Sequence, residues 1–274
     1  MREFGYLEGS SLEIEFRWAD DKYDRLPALA TELVRLGPAV IVTHGAAGVR
    51  AAKGATSTIP VVMANVGDPV ATGLVASLAR PGGNVTGSSF FNLEIYGKQI
   101  ELLKEIFPRA RRFAFLMNPD NPSSAPTYST TEGAAKLLKV ELHRFTTRGP
   151  AEFDGAFSAM VKARVDAVVV QNDAVLTTHA GSIAELAAKR RLPVASGREL
   201  TEAGRLLGYG HSVPDSFRRA GYFVDRILKG AKPADLPVER PTKFELVINA
   251  RAAKQISVTI PALMLARADR VIEQ

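Results

Sequence analysis

The sequence predicts an α/β fold: doubly wound parallel sheets divided between two lobes. Three observations carry this. Short β-branched runs alternate with helical patterns of about a dozen residues along the whole chain, which calls for right-handed crossovers. Runs such as "DAVVVQN" (166–172) are apolar without alternation, as in strands buried on both faces. Irregular stretches then break the pattern at "RPGGNVTGSSF" (80–90), "LKGAKPADLPVERPTKF" (228–244) and "SGRELTEAGRLLGYG" (196–210). About nine strands suit one wide sheet or two smaller ones. The breaks favour two, and three crossings make each lobe discontinuous in sequence.

In chain order the expected strands are 12–17, 39–43, 61–64, 113–117, 140–145, 167–171, 194–196, 206–209 and 244–248. A further short strand ends in the hydroxyls of the 80–90 stretch. Between them, Leu26, Leu29, Ala30, Leu33 and Val34 share one helix face. So do Ile100, Leu103, Ile106 and Phe107, and later Phe217, Ala220, Gly221, Val224, Ile227 and Leu228. The chain opens on "MREFGYLEG", which reads as the last turn of a helix and its glycine stop.

The bulk properties bound the function. The chain has 274 residues, 46% of them apolar, enough for one large core or two medium ones. No apolar run approaches the roughly 18 residues of a membrane span, and the mean hydropathy is near zero. With no cysteine, disulfides, thiolate metal sites and a cysteine nucleophile are excluded. The net charge of +6 is compatible with nucleic acid, but the basic residues are scattered over helices. Short clusters (Arg109, Arg111, Arg112; Lys189, Arg190, Arg191) read as solvated faces, so no nucleic-acid partner is expected.

In parallel α/β sheets, ligands sit beyond the carboxyl ends of the strands, where helix N-termini offer free N–H groups. That rule selects Thr43 and His44 in "THGAAG", Asn65 and Asp68 in "NVGDPVATG", and Asn118, Asn121 and Ser123 in "NPDNPSS". It also selects Asn172 and Asp173 in "NDAVLT", Glu199 in "SGRE", and Tyr209. Each has a structural reading as well. Asp68 before Pro69 is a good helix cap, Asn118 and Asn121 flank prolines as turn formers, Asp173 suits a cap, and Tyr209 can close a core. His44 is more informative, because a histidine beside glycines at a strand end has little packing purpose.

Reactive constellations are missing. There is no phosphate-binding G-x-x-x-x-G-K-[ST], no G-x-G-x-x-G after the first strand, no H-E-x-x-H and no G-x-S-x-G elbow. His44, His143, His179 and His211 show no metal-ligand spacing, so neither a metal nor a cofactor is expected. The set is rich in neutral donors and acceptors, which suits reversible recognition of a small polar ligand better than bond breaking. An enzyme on a related scaffold and the effector-binding domain of a regulator remain the alternatives. The first lacks a reactive centre and the second a DNA-binding headpiece.

Three stretches carry a resemblance: "YDRLPALATELVRLGPAVIV" (23–42), "GDPVATGLVASLARPGGNVTG" (67–87) and "ILKGAKPADLPVERPTKFELVIN" (227–249), with "IPALMLARADRVIE" (260–273) at the close. They resemble the ABC-transporter substrate-binding protein family of the TrpX-like, tryptophan-binding type. The resemblance implies a type I periplasmic-binding-protein fold, with lobes at 1–88 plus 203–236 and 89–202 plus 237–274. It implies a small solute, such as an aromatic or other amino acid, held in the interlobe cleft and released unaltered to a membrane permease. It implies a periplasmic or extracytoplasmic location. Ser88, Ser89 and Phe90 join the ligand-binding set on the same ground. For a zwitterionic solute, N–H groups and hydroxyls would hold the carboxylate, Asp173 or Glu199 the ammonium, and Phe90 and Tyr209 an apolar wall. Family members open with a secretion leader and a first strand that this sequence does not show. The first strand of lobe 1 is therefore expected to be missing: by a start assigned too late, by trimming, or because the chain is truly short.

Overall fold

The computed structural model describes residues 1–90 and 94–273, including every side chain among them except that of residue 199. In chain order the described residues form α1 (Leu26–Arg35), β1 (Ile41–His44), α2 (Gly45–Ala55), β2 (Val61–Val66), β3 (Val85–Ser89), α3 (Ile95–Ile106) and β4 (Arg112–Met117). There follow α4 (Ser124–Leu137), β5 (Glu141–Thr146), α5 (Pro150–Lys162), β6 (Ala167–Val170), α6 (Ala174–Thr178), α7 (Ala180–Lys189), β7 (Val194–Ser196) and β8 (Leu207–Gly210). The chain ends with α8 (Val213–Leu228), β9 (Glu245–Asn249), α9 (Ala250–Gln255), α10 (Ala262–Arg267) and β10 (Arg270–Ile272).

Two units contain these elements. The first comprises Met1–Phe91, Asn121–Ser123 and Val213–Pro241; the second comprises Asn92–Asp120, Ser124–Ser212 and Thr242–Gln274. β8 belongs to the second unit, so the chain leaves that unit at 212–213, later than the expected 203.

The first unit holds a parallel sheet of order β1-β2-β3. Strand side chains alternate between faces, and both faces of β2 are covered. Val61, Met63 and Val66 pack with Ala46, Val49 and Ala52 of α2, while Val62 and Ala64 pack with Ala220, Phe223 and Val224 of α8. Residues 237–239 run beside β3: the Ser89 N–H donates to the Glu239 carbonyl at 2.8 Å, and the Glu239 N–H to that of Gly87 at 3.0 Å.

The strand expected at 12–17 does not form. Leu12 makes only an isolated bridge with Glu8, and Ile14, Phe16 and Trp18 are 40%, 55% and 68% exposed. Alternation supplies a face but not a neighbour, and β1, the outer strand of its sheet, pairs only with β2. Phe16 and Trp18 stack on each other instead, centroids 5.7 Å apart.

The second unit holds a seven-stranded sheet of order β10-β9-β8-β7-β6-β4-β5. It is parallel except that β9 runs antiparallel to β8, which makes the sheet mixed rather than purely parallel. Phe113 to Met117 and Ala167 to Val170 are all buried, as their unbroken apolar runs require. Phe153, Phe157 and Met160 of α5 and Ile183 and Ala187 of α7 close one face over Ala114, Leu116, Val168 and Val170. From the basic clusters, Arg190 reaches Asp154 at 2.7 Å and Arg112 reaches Glu141 at 3.5 Å, both ordinary ion pairs.

Candidate functional site

The first unit gathers its polar residues where β1, β2 and β3 end. Thr43 sits against the first turn of α2: its Oγ1 lies 2.4 Å from where a Cβ on Gly48 would stand, so the second glycine of "HGAAG" makes room for it. His44 is exposed, and its ring meets the edge of Phe217 on α8 at 5.9 Å. Asn65 holds a left-handed φ of 53° where the pairing of β2 with β3 shifts register. Asparagine tolerates that region better than most residues, and such outliers concentrate at binding sites. Asp68 caps the following turn, its Oδ1 accepting the N–H groups of Val70 and Ala71 at 2.9 Å each. The α-helix that Asp68 and Pro69 suggested does not follow; 69–73 is turn.

Around Gly67 the unit is tightly built. The Ser89 hydroxyl donates to the Gly67 carbonyl at 2.7 Å, and the Phe90 N–H donates to that of Val66 at 2.8 Å. A Cβ on Gly67 would meet Ser123 Oγ at 3.1 Å and the Phe90 ring at 3.8 Å, so "GDP" brings its backbone against both. Asn121 accepts the Ser123 N–H at 2.9 Å, fixing that turn. Among the described residues, the hydroxyls of Ser88 and Ser123 are buried without a hydrogen-bond partner. Buried hydroxyls of this kind call for a bound partner.

In the second unit the strand ends of β4, β6, β7 and β8 carry the remaining candidates. Asn118 is buried and its Oδ1 accepts the Asp120 N–H at 3.0 Å. The Ser124 hydroxyl lies 2.5 Å from the Asn118 carbonyl and 2.7 Å from Oε1 of Gln171, tying β4 to β6. Asp173 is 2% exposed and caps α6, accepting the Leu176 N–H at 3.1 Å. Asn172 is half-buried, and its N–H donates to the Tyr96 hydroxyl at 3.0 Å. Burial, chiefly, pushes the Tyr96 phenol up to about 12, with the Asp173 charge adding to the rise, so the phenol stays protonated. Tyr209 is half-buried and stacks on Phe244, centroids 6.0 Å apart. Glu199 falls in a single helical turn, Arg198–Thr201, and its side chain is the one outside the described set.

Two polar groups of α3 escaped the reading of the sequence. Besides Tyr96, Gln99 is fully buried, and its Nε2 donates at 2.9 Å to the carbonyls of both Ser196 and Tyr209. It thus clamps the ends of β7 and β8. Gln99 adjoins Ile95, Leu102 and Leu103, so a polar residue inside an apolar stripe was the available signal. Gln99→Leu should strand both carbonyls. At about 1–3 kcal/mol for each unsatisfied group, the melting temperature is expected to fall by about 5 °C or more in calorimetry.

Among the described residues there is no group of three or more histidine, aspartate or glutamate side chains that could hold a metal ion. The arrangement offers buried hydroxyls, amides and a carboxylate at strand ends, a set for binding.

Comparison with known proteins agrees. The family model described as "ABC transporter substrate binding protein" matches residues 1–272. A tyrosine-binding protein of Clostridioides difficile is 27% identical over 259 residues, covering 94% of this chain and 74% of that protein. Among solved structures, the ABC domain from Streptococcus pneumoniae in complex with L-Trp superposes with a TM-score of 0.92 at 26% identity, covering 99% of this chain and 91% of the other. A conserved domain protein of Vibrio cholerae superposes equally well, with a TM-score of 0.92 at 29% identity over 98% of this chain and 90% of that one. With a two-unit α/β architecture, polar strand ends and a family match along nearly its whole length, the chain belongs to the ABC transporter substrate-binding proteins, a family of non-catalytic solute receptors.

Proposed function

We propose that this protein captures an α-amino acid with an aromatic side chain outside the cytoplasm and hands it, unaltered, to a membrane permease. The observation that carries the reading is that, among the described residues, the buried hydroxyls of Ser88 and Ser123 in the first unit have no hydrogen-bond partner. Beside it, the second unit offers the buried Asp173 carboxylate, and Phe90 and Tyr209, one in each unit, offer aromatic rings. Hydroxyls and backbone N–H groups serve a carboxylate, the aspartate serves an ammonium, and rings serve an aromatic side chain. The strand-end candidates Thr43, His44, Asn65, Asp68, Ser89, Asn118, Asn121, Asn172 and Glu199 complete the proposed binding set. Two relatives support the solute class, since one is a tyrosine-binding protein and another was solved with L-Trp.

A thermal-shift screen over the twenty amino acids, benzoates and purines tests the proposal, followed by calorimetric titration and mass analysis of the recovered compound. Tyrosine, tryptophan or phenylalanine should raise the melting temperature most and be recovered intact. Stabilisation by benzoates or purines alone would replace the solute class, and recovery of a converted product would overturn the receptor reading.

A further inference from the structure

Glu239 meets β3 with its main chain and α8 with its side chain. Its N–H donates to the Gly87 carbonyl at 3.0 Å and its carbonyl accepts the Ser89 N–H at 2.8 Å, so it stands beside Ser88 as a single parallel bridge. Earlier in β3 the Thr86 hydroxyl ties the same segment through the Leu236 carbonyl at 2.7 Å. Toward the strand's end the tie is Glu239, and β3 stops at Ser89, two residues before the chain passes to the second unit.

The Glu239 carboxylate accepts both Nε and Nη2 of Arg219 on α8. A two-pronged fork of this kind fixes orientation as well as distance. The guanidinium is itself held from its other side. It lies over the Tyr222 ring, 3.6 Å from the centroid, and that ring meets the edge of Phe223 at 5.6 Å. Phe223 is buried and packs with Val62 and Ala64 of β2. Contacts therefore run from β2 through α8 to Glu239 and return to the sheet at Ser88 and Ser89, all within the first unit.

The side chains of Arg219 and Glu239 are 41% and 40% exposed. Ion pairs this exposed contribute little to stability, and salt screens them. The fork therefore matters more for position than for stability. What it positions is the backbone that carries Ser88, Ser89 and Phe90.

We propose that Arg219 and Glu239 are positioning residues for solute binding: their fork pins the 237–239 segment to α8 and holds the end of β3 in place before the solute arrives. The inference rests on the reading above that puts Ser88, Ser89 and Phe90 in the binding set. Without the fork, the end of β3 becomes ordered only during binding, and the entropy lost then weakens affinity rather than folding.

The test uses the whole protein with Glu239→Gln, Arg219→Met and the double variant. In the solute-free protein, the amides of Ser89 and Glu239 should exchange with solvent about tenfold faster in each variant, read by NMR, while those of β2 keep their rates. Melting temperatures should stay within about 2 °C of the parent. L-Tryptophan and L-tyrosine, titrated by calorimetry, should bind about threefold to tenfold more weakly, with a less favourable binding entropy. The double variant should bind no more weakly than the weaker single one, because the two residues act through each other. Parental exchange rates at Ser89 and Glu239 in the variants would overturn the proposal. So would faster exchange spread evenly over the first unit, unchanged affinity for a solute that the parent binds, or losses that add in the double variant. A parent protein that binds neither amino acid would overturn the solute class instead, and amide exchange would then decide on the fork alone.

Discussion

Asp173→Asn is expected to weaken amino-acid binding by tenfold to a hundredfold while leaving the melting temperature within a few degrees of the parent. The two effects separate because the aspartate has two jobs. Its Oδ1 accepts the Leu176 N–H at the start of α6, and an asparagine carbonyl oxygen caps a helix about as well. The second job is the proposed one, countering a solute ammonium, and it needs the negative charge. A charge-assisted hydrogen bond contributes about 1.5–3 kcal/mol, which corresponds to roughly one to two powers of ten in affinity. Asp173→Ala removes both roles and should lower affinity and melting temperature together. Titration calorimetry with the best-stabilising amino acid, alongside thermal melts of both variants, reads the two effects separately. An unchanged dissociation constant in Asp173→Asn would remove the aspartate from the proposed set.

Much of this architecture was legible because burial on both faces writes itself as continuous apolar sequence. Residues 167–170 and 113–117 are fully buried as their composition demanded. Caps were legible for the same local reason: Asp68 and Asp173 stand before turns whose N–H groups they accept. The segment 12–17 shows the limit. Its alternation is as clean as that of any strand, yet pairing depends on what lies alongside, and sequence pattern carries no information on neighbours. The antiparallel entry of β9 beside β8 was hidden likewise, since direction is set by how the chain returns after 228–244. Gln99 was hidden differently. It is a polar residue inside an apolar context, and the pattern that located the core led the eye past the exception. His44 illustrates the converse. It looked purposeless for packing, but Phe217, more than 170 residues later in the chain, gives its ring a neighbour.

The largest stability effect is expected from Gly87→Ala. Gly87 sits in β3 opposite Met63 of β2, with φ at +131°, a region that side chains of L-residues rarely adopt. A Cβ there would lie 2.2 Å from the Met63 carbonyl oxygen and 2.8 Å from its nitrogen. Both are backbone atoms of a strand buried on both faces, so no rotamer change relieves the contact. Either β2 and β3 separate, losing the pairing of Met63 with Gly87, or the variant does not fold. The cost is expected to exceed about 4 kcal/mol, the range reserved for backbone strain and overpacking, with a melting temperature lower by about 10 °C or more. Binding should fall too, because β3 and the residue after it carry Ser88, Ser89 and Phe90 of the proposed binding set. Gly54→Ala is the matching control: nothing lies within 4 Å of its added Cβ, and it occupies a helical position in α2. That substitution should stabilise by about 0.5–1 kcal/mol through helix propensity. Two glycine-to-alanine changes in one unit, opposite in sign, separate close approach of backbone from intrinsic preference. If Gly87→Ala melts with the parent protein, the register of β3 against β2 is not the one described.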